Sequence, residues 1–329
     1  MPAVSVKNLS KDYGKFRAVD GISFSVESGE IFGLLGPNGA GKTTTIKMLT
    51  TLLKPTGGSA SVSGFDIALQ KDGVRKNIGI VFQDPSLDDE LTGRENLNFH
   101  AILYKMDRKK AEARINEILS LVELTDKADV LVKNYSGGMK RRLEIGRGLL
   151  HEPKVLFLDE PTIGLDPQTR RHMWSYIKKL NSTWGTTVIL TTHYIEEADY
   201  LCGRVAFVDH GKLVALDTPQ SLKDKLGGDV LSLSINDGVL AFEKKLKGIR
   251  WIKSMSKHDG YLDLTVEEGE KRIPEVILLA GKNGVKISSV SLHKPSLEDV
   301  FIHYTGKTIR EEEGSWKDTM RSIRASRNR

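Results

Sequence analysis

The sequence predicts an α/β fold built on a parallel sheet covered on both faces, followed by a smaller α+β domain. Three continuous apolar runs, at residues 31–35, 155–158 and 187–192, carry the first part of this prediction. Continuous runs are typical of strands buried on both faces, whereas strands with one wet face alternate apolar and polar residues. Each run ends in a glycine-rich or polar segment. Ligands bind at the carboxyl ends of strands in open α/β sheets, so we expect one site at that edge.

A glycine-rich loop follows the first run and precedes a predicted helix over residues 44–53. The loop and the first residue after it are Gly36, Pro37, Asn38, Gly39, Ala40, Gly41, Lys42, Thr43 and Thr44. They fit the pattern G-x-x-x-x-G-K-[ST] of a phosphate-binding P-loop. Glycine lets the backbone curl so that its N–H groups face a triphosphate, and the following helix adds the positive end of its dipole. The pattern predicts that Lys42 reaches the β- and γ-phosphates and that Thr43 ligates Mg²⁺.

The other two runs end in candidate catalytic residues. Asp159 and Glu160 follow residues 155–158, and His193 follows residues 187–192. We expect Asp159 to hold Mg²⁺ together with Thr43. Glu160 then faces the attacking water, where a carboxylate is suited to act as general base or to position the water. His193 is predicted to donate a hydrogen bond to the γ-phosphate.

Two further residues are candidates for the same site. Gln83 ends the apolar run 78–82, and its amide is predicted to contact Mg²⁺ or the attacking water. Tyr13 lies in a predicted turn, Asp12-Tyr13-Gly14. It is either a surface aromatic or stacks on adenine, as aromatic side chains stack on bases.

The remaining patterns place these motifs in two domains, as a length of 329 residues suggests. In the first, predicted over residues 1–228, alternation at 3–9 and 21–27 indicates an antiparallel layer. Residues 91–150 are predicted to form a helical subdomain, which a capping box at Thr92 introduces.

The second domain is predicted over residues 229–305, where the order βαββαβ is that of a ferredoxin-like fold. The domain is either regulatory, an additional dimer contact or a structural appendage. A tail of residues 306–329 follows, in which basic residues outnumber acidic ones. We expect this tail to be mobile, and either solvated or in contact with anionic lipid headgroups.

Composition excludes several classes of protein. The apolar share of 39% and the charged share of 28% are those of a soluble globular protein. No run of 18 apolar residues predicts a membrane span, and the N-terminus lacks the apolar core of a signal peptide. Cys202 is the single cysteine, which fits a reducing compartment. A net charge of +6 permits an anionic partner without requiring one.

Taken in order, the motifs resemble those of ATP-binding cassette (ABC) ATPases over residues 1 to about 225. The matching segments are Tyr13 for the adenine-stacking loop, Gln83 for the Q-loop, Tyr135-Ser136-Gly137-Gly138-Met139 for the signature loop, Gly164-Leu165-Asp166 for the D-loop and His193 for the switch histidine. Two residues depart from the family pattern. Met139 stands where the family most often has Gln, and Gly164 where Ser or Ala is usual.

The resemblance implies a head-to-tail dimer of two copies of this chain. Ser136 caps the helix that follows it, and Gly137 and Gly138 leave its N–H groups open. That helix N-terminus would bind the γ-phosphate of ATP held by the second copy. Asp166 of the D-loop is assigned to the same nucleotide site. The dimer is expected to close on ATP and to open after hydrolysis.

The resemblance also implies the nucleotide-binding subunit of an ABC transporter, peripheral to the cytoplasmic face of the cell membrane. Its partner would be a separate transmembrane permease, docked by residues 91–134 and Gln83. A soluble ABC ATPase acting on ribosomes or DNA is the alternative. It usually has two cassettes or a long coiled coil, neither of which is present, so no nucleic acid is expected. An unrelated P-loop kinase or GTPase does not explain the Ser-Gly-Gly segment or His193.

The C-terminal residues narrow the class of transporter. The segment 295–301, Pro-Ser-Leu-Glu-Asp-Val-Phe, with Tyr304-Thr305-Gly306 resembles the end of daunorubicin-type export ATPases, and so does the signature Tyr-Ser-Gly-Gly-Met. The resemblance implies an ABC-2-type exporter of a hydrophobic drug, a lipid or a polysaccharide. A nutrient-importer ATPase is the alternative, although its accessory domain would more often resemble a small β-barrel.

Overall fold

The computed structural model describes residues 2–84, 86–235, 239–258 and 261–306. These residues divide into two compact units, one of residues 2–35 and 40–213, the other of residues 36–39 and those from 214 onward. The predicted tail lies, beyond Gly306, outside the described residues.

The described part of residues 2–228 contains both strands and helices, as the predicted α/β fold requires. The strands are β1 (Val4–Tyr13), β2 (Phe16–Val26), β3 (Ile31–Leu35), β4 (Gly57–Val62), β5 (Phe65–Asp66), β6 (Ile78–Val81), β7 (Val155–Asp159), β8 (Thr187–Thr192), β9 (Arg204–Asp209) and β10 (Lys212–Asp217). The helices are α1 (Lys42–Leu49), α2 (Lys71–Lys76), α3 (Gly93–Leu103), α4 (Arg108–Leu121), α5 (Gly137–Leu149), α6 (Pro167–Trp184), α7 (Ile195–Leu201) and α8 (Pro219–Asp224).

The larger sheet has the strand order β10-β9-β3-β8-β7-β6. Strands β9, β3, β8, β7 and β6 run parallel to one another. Every residue of β3, β7 and β8 is buried, which confirms that the three continuous apolar runs are strands covered on both faces. The second sheet has the order β2-β1-β4-β5 with antiparallel pairing, and it is the predicted antiparallel layer.

The helical segment contains α3, α4 and α5, with 3₁₀ turns at Thr125–Lys127 and Val132–Asn134. Thr92 and Glu95 form the predicted capping box at the start of α3. Asp107 caps α4 through the backbone N–H groups of Lys109 and Lys110.

Two local predictions are wrong. Asp12 and Tyr13 belong to β1, because the strand continues to Tyr13 and the hairpin turn consists of Gly14 and Lys15. Helix α1 ends at Leu49 and does not continue to residue 53, because Thr51 has a left-handed φ of 63° that stops the helix. The helices α2 and α7 were not expected.

The second unit contains the predicted βαββαβ order. Its elements are β11 (Asp229–Ile235), α9 (Val239–Leu246), β12 (Ile252–His258), β13 (Tyr261–Val266), α10 (Gly269–Lys282), β14 (Ile287–His293) and α11 (Leu297–Thr305). The sheet has the order β12-β13-β11-β14 with antiparallel pairing, which is the ferredoxin-like topology. The core includes Leu231, Leu264, Phe242 and Val276. Helix α11 contacts α8 and β12, and its Leu297 and Phe301 are fully buried.

Candidate functional site

The strand order brings three of the sequence motifs together. Strand β8 lies between β3 and β7, with Leu35 opposite Thr192 and Asp159 opposite Thr191. The P-loop follows β3, and His193 follows β8. These carboxyl ends therefore meet at one edge of the sheet, as the sequence predicts.

The start of α1 fixes the direction of Lys42. Gly41 precedes the helix with a left-handed φ of 101°, and a Cβ atom there would lie 2.5 Å from the carbonyl oxygen of Ala18. Only glycine fits this close approach. Lys42 is buried, and its Nζ lies 3.4 Å from Oε1 of Glu160 at the end of β7. The P-loop lysine and the candidate general base are thus neighbours.

Thr43 and Asp159 lie close enough to share a metal ion. The Thr43 hydroxyl donates to Oδ1 of Asp159 at 3.0 Å, and the Thr191 hydroxyl donates to the same oxygen. Burial raises the pKa of Asp159, and the hydrogen bonds from Thr191 and Thr43 offset part of this rise. A hydroxyl and a carboxylate oxygen are hard ligands of the kind that Mg²⁺ takes, together with waters and substrate phosphates. No group of three His, Cys, Asp or Glu side chains suited to a metal occurs in the described ranges.

Glu160 is a buried carboxylate that lies between a histidine and a lysine. Its Oε2 lies 2.9 Å from Nδ1 of His193, and its Oε1 faces Lys42. Burial works to raise the pKa of Glu160, but the His193 hydrogen bond and the charge of Lys42 outweigh it, so the pKa is lowered from its ordinary value. Glu160 is therefore ionised at neutral pH, as a general base must be.

His193 is held beside a second aromatic ring. The rings of His193 and Tyr194 have centroids 4.1 Å apart, and the Arg170 guanidinium lies 3.9 Å from the centroid of the Tyr194 ring. Arg170 belongs to α6, so these contacts connect the histidine with the helix after the D-loop.

Two candidates lie at the surface. Gln83 is exposed, and within the part of the chain that the structure describes its side chain makes no hydrogen bond. Tyr13 is 49% exposed at the end of β1, with Nζ of Lys11 5.3 Å from its ring centroid. Their roles as Q-loop amide and adenine platform stay predictions.

The signature loop lies beside α6. Ser136 caps α5 by accepting from the Met139 N–H at 3.2 Å, as predicted, while Gly137 is exposed and Gly138 is buried. Ser136 and Gly138 line a cavity of about 570 Å³ shared with residues of α6 such as Thr169. The residues lining this cavity do not include Lys42, Asp159 or Glu160.

The local backbone conformation explains why the D-loop has Asp at position 166 and Gly at position 164. Asp166 accepts from the N–H groups of Gln168 and Thr169, and Pro167 follows as the first residue of α6. Gly164 has a φ of 73°, a conformation that favours glycine and accounts for the departure from Ser or Ala.

Sequence reasoning missed polar residues that surround the carboxylates. Thr191 lies inside the run 187–192, whose pattern is largely apolar, and Glu197 lies in α7, a helix that the sequence pattern does not predict. Glu197 is fully buried and accepts from the Thr162 hydroxyl at 2.7 Å and the Trp174 indole at 2.9 Å. Burial raises its pKa, partly offset by hydrogen bonds from Thr192, Thr162 and Trp174. A polar residue inside an apolar strand was the available signal, since buried polar groups need partners.

Comparison with known sequence families gives two matches. The family described as ABC transporter matches residues 19–163. The family described as ATP-binding protein DrrA1-3-like, C-terminal domain, matches residues 218–305.

Curated relatives match over nearly their whole length. The chain is 39% identical to the linearmycin resistance ATP-binding protein LnrL of Bacillus subtilis over 311 residues, covering 94% of this chain and 100% of the relative. It is 39% identical to the daunorubicin/doxorubicin resistance ATP-binding protein DrrA of Streptomyces peucetius, covering 92% of each. It is 38% identical to the Nod factor export ATP-binding protein I of Burkholderia orbicola, covering 94% of this chain and 98% of the relative.

Solved structures share the cassette. The structure of cbiO1 from Clostridium perfringens, part of the ABC transporter complex cbiONQ, is 30% identical with a TM-score of 0.63, covering 67% of this chain and 90% of that one. The ATP-binding cassette MJ0796, a dimer in a post-hydrolysis state bound to ADP and phosphate, is 29% identical with a TM-score of 0.58, covering 65% and 98%.

The site combines a P-loop with a buried Asp–Glu pair, a histidine bonded to the glutamate and a capped signature helix. This combination defines an ATP-binding cassette ATPase. The chain belongs to the ABC transporter family of ATP-binding proteins, of which the similar MJ0796 cassette is a dimer. Its second unit has the DrrA1-3-like C-terminal domain. Within the described ranges, no helix has the length and apolarity needed to cross a membrane.

Proposed function

We propose that this chain hydrolyses ATP to drive an ABC-2-type exporter whose cargo is a hydrophobic drug, a lipid or a polysaccharide. The cluster of Lys42, Glu160 and His193 supports the hydrolytic role. The ferredoxin-like second unit, together with relatives named for drug resistance and Nod factor export, supports export over nutrient import.

Hydrolysis begins with water placed between Glu160 and the γ-phosphorus. Glu160 accepts the proton of this water while the new P–O bond forms, and the bond between phosphorus and the bridging oxygen breaks to leave ADP. His193 holds the Glu160 carboxylate through Nδ1, and it would donate a hydrogen bond to the γ-phosphate. Lys42 is paired with Glu160, and a triphosphate entering the loop competes for its ammonium group.

Thr43 and Asp159 are the residues that would hold Mg²⁺, with Gln83 as a further ligand. Bound Mg²⁺ would neutralise charge on the phosphate oxygens. Thr191 keeps the Asp159 carboxylate in place by donating to Oδ1.

A second copy of the chain would complete the nucleotide site. Helix α5 has 13 residues, and at its N-terminus the Ser136 side chain satisfies the Met139 N–H. The first residues, Gly137 and Gly138, carry no side chain to cover the remaining N–H groups, which favours an anion facing this helix end. The phosphate it binds would be the γ-phosphate of ATP on the partner, with Asp166 at the same interface.

The permease would dock on the helical segment. Helix α3 exposes three large apolar side chains, Phe99 at 54%, Ile102 at 65% and Leu103 at 59%. A cluster of exposed apolar residues on one helix is typical of an interaction surface. Docking there would place the chain at the cytoplasmic face of the membrane, beside a transmembrane partner in another chain.

Glu160→Gln tests the hydrolytic assignment. The variant should bind ATP and form a stable ATP-dependent dimer, while steady-state hydrolysis is abolished because the amide accepts no proton. The matched control is Glu196→Gln, which changes an exposed glutamate near His193 and should hydrolyse ATP normally. Near-normal turnover by Glu160→Gln would show that Glu160 is not the base.

Co-purification tests the transporter assignment. Full-length chain isolated from its native membranes should bring a transmembrane permease with it. Recovery with ribosomes or nucleic acid, and without a membrane protein, would contradict the exporter and favour a soluble ABC ATPase.

A further inference from the structure

The backbone of Glu160 has a conformation that residues with a Cβ atom rarely adopt. Its φ is 49°, in the left-handed region, and the residue is buried. Such a conformation has an energetic cost and persists where the surroundings determine it; it is common at functional sites. The question is therefore which groups hold Glu160 in this conformation.

The N–H side of Glu160 is held by β8. The Glu160 N–H group donates to the carbonyl oxygen of Thr191 at 3.2 Å and to the Thr191 hydroxyl at 3.0 Å. These two bonds hold the N–H group of Glu160, and other groups must hold its carbonyl group.

On the carbonyl side, the Glu160 oxygen accepts from the Ile163 N–H at 3.3 Å, and this oxygen and both neighbouring carbonyl oxygens accept from one guanidinium, that of Arg141 on α5. Its Nη2 donates to the carbonyl oxygens of Asp159 at 2.9 Å and Glu160 at 3.1 Å, and its Nε donates to that of Pro161 at 2.8 Å. Arg141 therefore contacts three consecutive carbonyl groups with the left-handed residue at their centre.

The same side chain reaches the segment that carries Gln83. Nη1 of Arg141 donates to the carbonyl oxygen of Phe82 at 2.6 Å and to Oε2 of Glu144 at 3.0 Å. Glu144 in turn accepts from the Ser86 N–H at 2.8 Å. Residues on both sides of Gln83 are thus bonded to α5, the helix that begins with the signature loop.

All donor capacity of Arg141 is used in this arrangement. A guanidinium has five N–H donors in a fixed plane. Arg141 has five acceptor oxygens, on Phe82, Glu144, Asp159, Glu160 and Pro161. The side chain is 9% exposed, so water does not replace a lost bond readily. Lysine has only three donors and no planar fork, and it leaves several of these oxygens unpaired.

We infer that Arg141 is a positioning residue for ATP hydrolysis, which holds the backbone of Glu160 and ties it to the Gln83 segment and the signature helix. This inference rests on the proposed role of Glu160 as general base. Arg141 acts through Glu160 and the Gln83 segment. Its loss should therefore lower the rate of the chemical step while leaving ATP affinity nearly unchanged.

Arg114 offers a matched control within the same unit. It is 9% exposed and bonds backbone in the same way, donating to the carbonyl oxygens of Leu149 at 3.0 Å and Leu150 at 3.3 Å. It also pairs with Glu117 at 2.7 Å. These acceptors lie at the far end of α5 from the signature loop, so Arg114 supports the fold without contacting the Glu160 backbone.

The experiment measures single-turnover ATP hydrolysis, the equilibrium constant for ATP binding and thermal unfolding of full-length Arg141→Gln, Arg141→Lys and Arg114→Gln. For both Arg141 variants we expect the hydrolysis rate to fall about 10- to 100-fold with ATP affinity within about twofold, as misplacement of a catalytic group does. Arg114→Gln should lose thermal stability and hydrolyse ATP within about twofold of the wild-type rate, as expected of a residue distant from the site.

Two results would overturn the inference. One is wild-type hydrolysis by the Arg141 variants; the other is an equal loss of rate in Arg114→Gln, which would indicate a general structural effect. Arg141→Lys keeps the charge and supplies the measurement if Arg141→Gln does not fold. Glu160→Gln is assayed in parallel. If it hydrolyses ATP, the base assignment fails; if it is inactive while both Arg141 variants are normal, only the positioning role fails.

Discussion

Replacing Thr191 by valine removes one hydroxyl from the centre of the site while keeping the shape of the side chain. The hydroxyl donates to the buried Asp159 carboxylate and accepts from the Glu160 N–H. After the change, Thr43 still donates to Asp159, and the Glu160 N–H keeps the main-chain carbonyl of residue 191. One bond to a charged group is lost, at a cost of about 2 kcal/mol.

Thr187→Val is the matched control for this change. Thr187 lies at the other end of β8, is equally buried, and accepts from the Gly29 N–H at 3.0 Å, a bond between neutral groups worth about 1 kcal/mol. We expect a fall in melting temperature of roughly 4–8 °C for Thr191→Val and about half that for Thr187→Val.

Hydrolysis separates the two variants more clearly than stability does. Thr191 holds both carboxylate-bearing residues, so a loss of about 1.4 kcal/mol of transition-state stabilisation, or tenfold in the rate, is expected for Thr191→Val. Thr187→Val should hydrolyse ATP at the wild-type rate. Equal steady-state rates for the two folded variants would show that Thr191 does not position Asp159 and Glu160.

Three further predictions concern stability. Because burial raises the pKa of Glu197, its contribution to stability is complete below its ordinary pKa and is lost as pH rises through the raised value. In urea unfolding, the free energy of unfolding of Glu197→Gln should therefore increase relative to that of the wild type as pH rises above the ordinary pKa of a glutamate; a constant difference would contradict the raised pKa. Phe301→Ala should lower the free energy of unfolding by about 3–5 kcal/mol, whereas the change at the exposed Tyr304, Tyr304→Ala, should lower it by about 0.5 kcal/mol or less. Equal losses would place Phe301 outside the core. Gly79→Ala should lower the free energy of unfolding by about 1–3 kcal/mol, because the added Cβ would lie 2.1 Å from the Gly148 carbonyl oxygen. An unchanged melting temperature would show that the two backbones are not so close.

The parts of the fold that depend on local spacing could be predicted from the sequence. The P-loop, the capping residues Thr92 and Ser136, and the continuous strands are signals within a few residues of one another. The position of His193 next to Glu160 also followed, because both residues end strands of one parallel sheet.

Contacts between distant segments could not be predicted in the same way. Arg141 bonds the Phe82 carbonyl across a separation of 59 residues, and in the sequence it is one of several basic residues in α5. The sequence also predicts the turn between β1 and β2 too early, because polar Asp12 resembles a turn residue, although it pairs with Arg17 across the strands. Pairing partners decide such cases, and a single sequence does not display them.

The residues that resemble daunorubicin-type exporters at the C-terminus are structural. Ser296 and Asp299 form a capping box, and Leu297, Val300 and Phe301 are buried under the second unit's sheet and α8. The apolar residues of this motif therefore complete the core of the accessory domain. For protein engineering, a fusion or truncation placed after Gly306 keeps this closing helix, whereas one placed before Leu297 removes a wall of the domain and exposes its apolar interior.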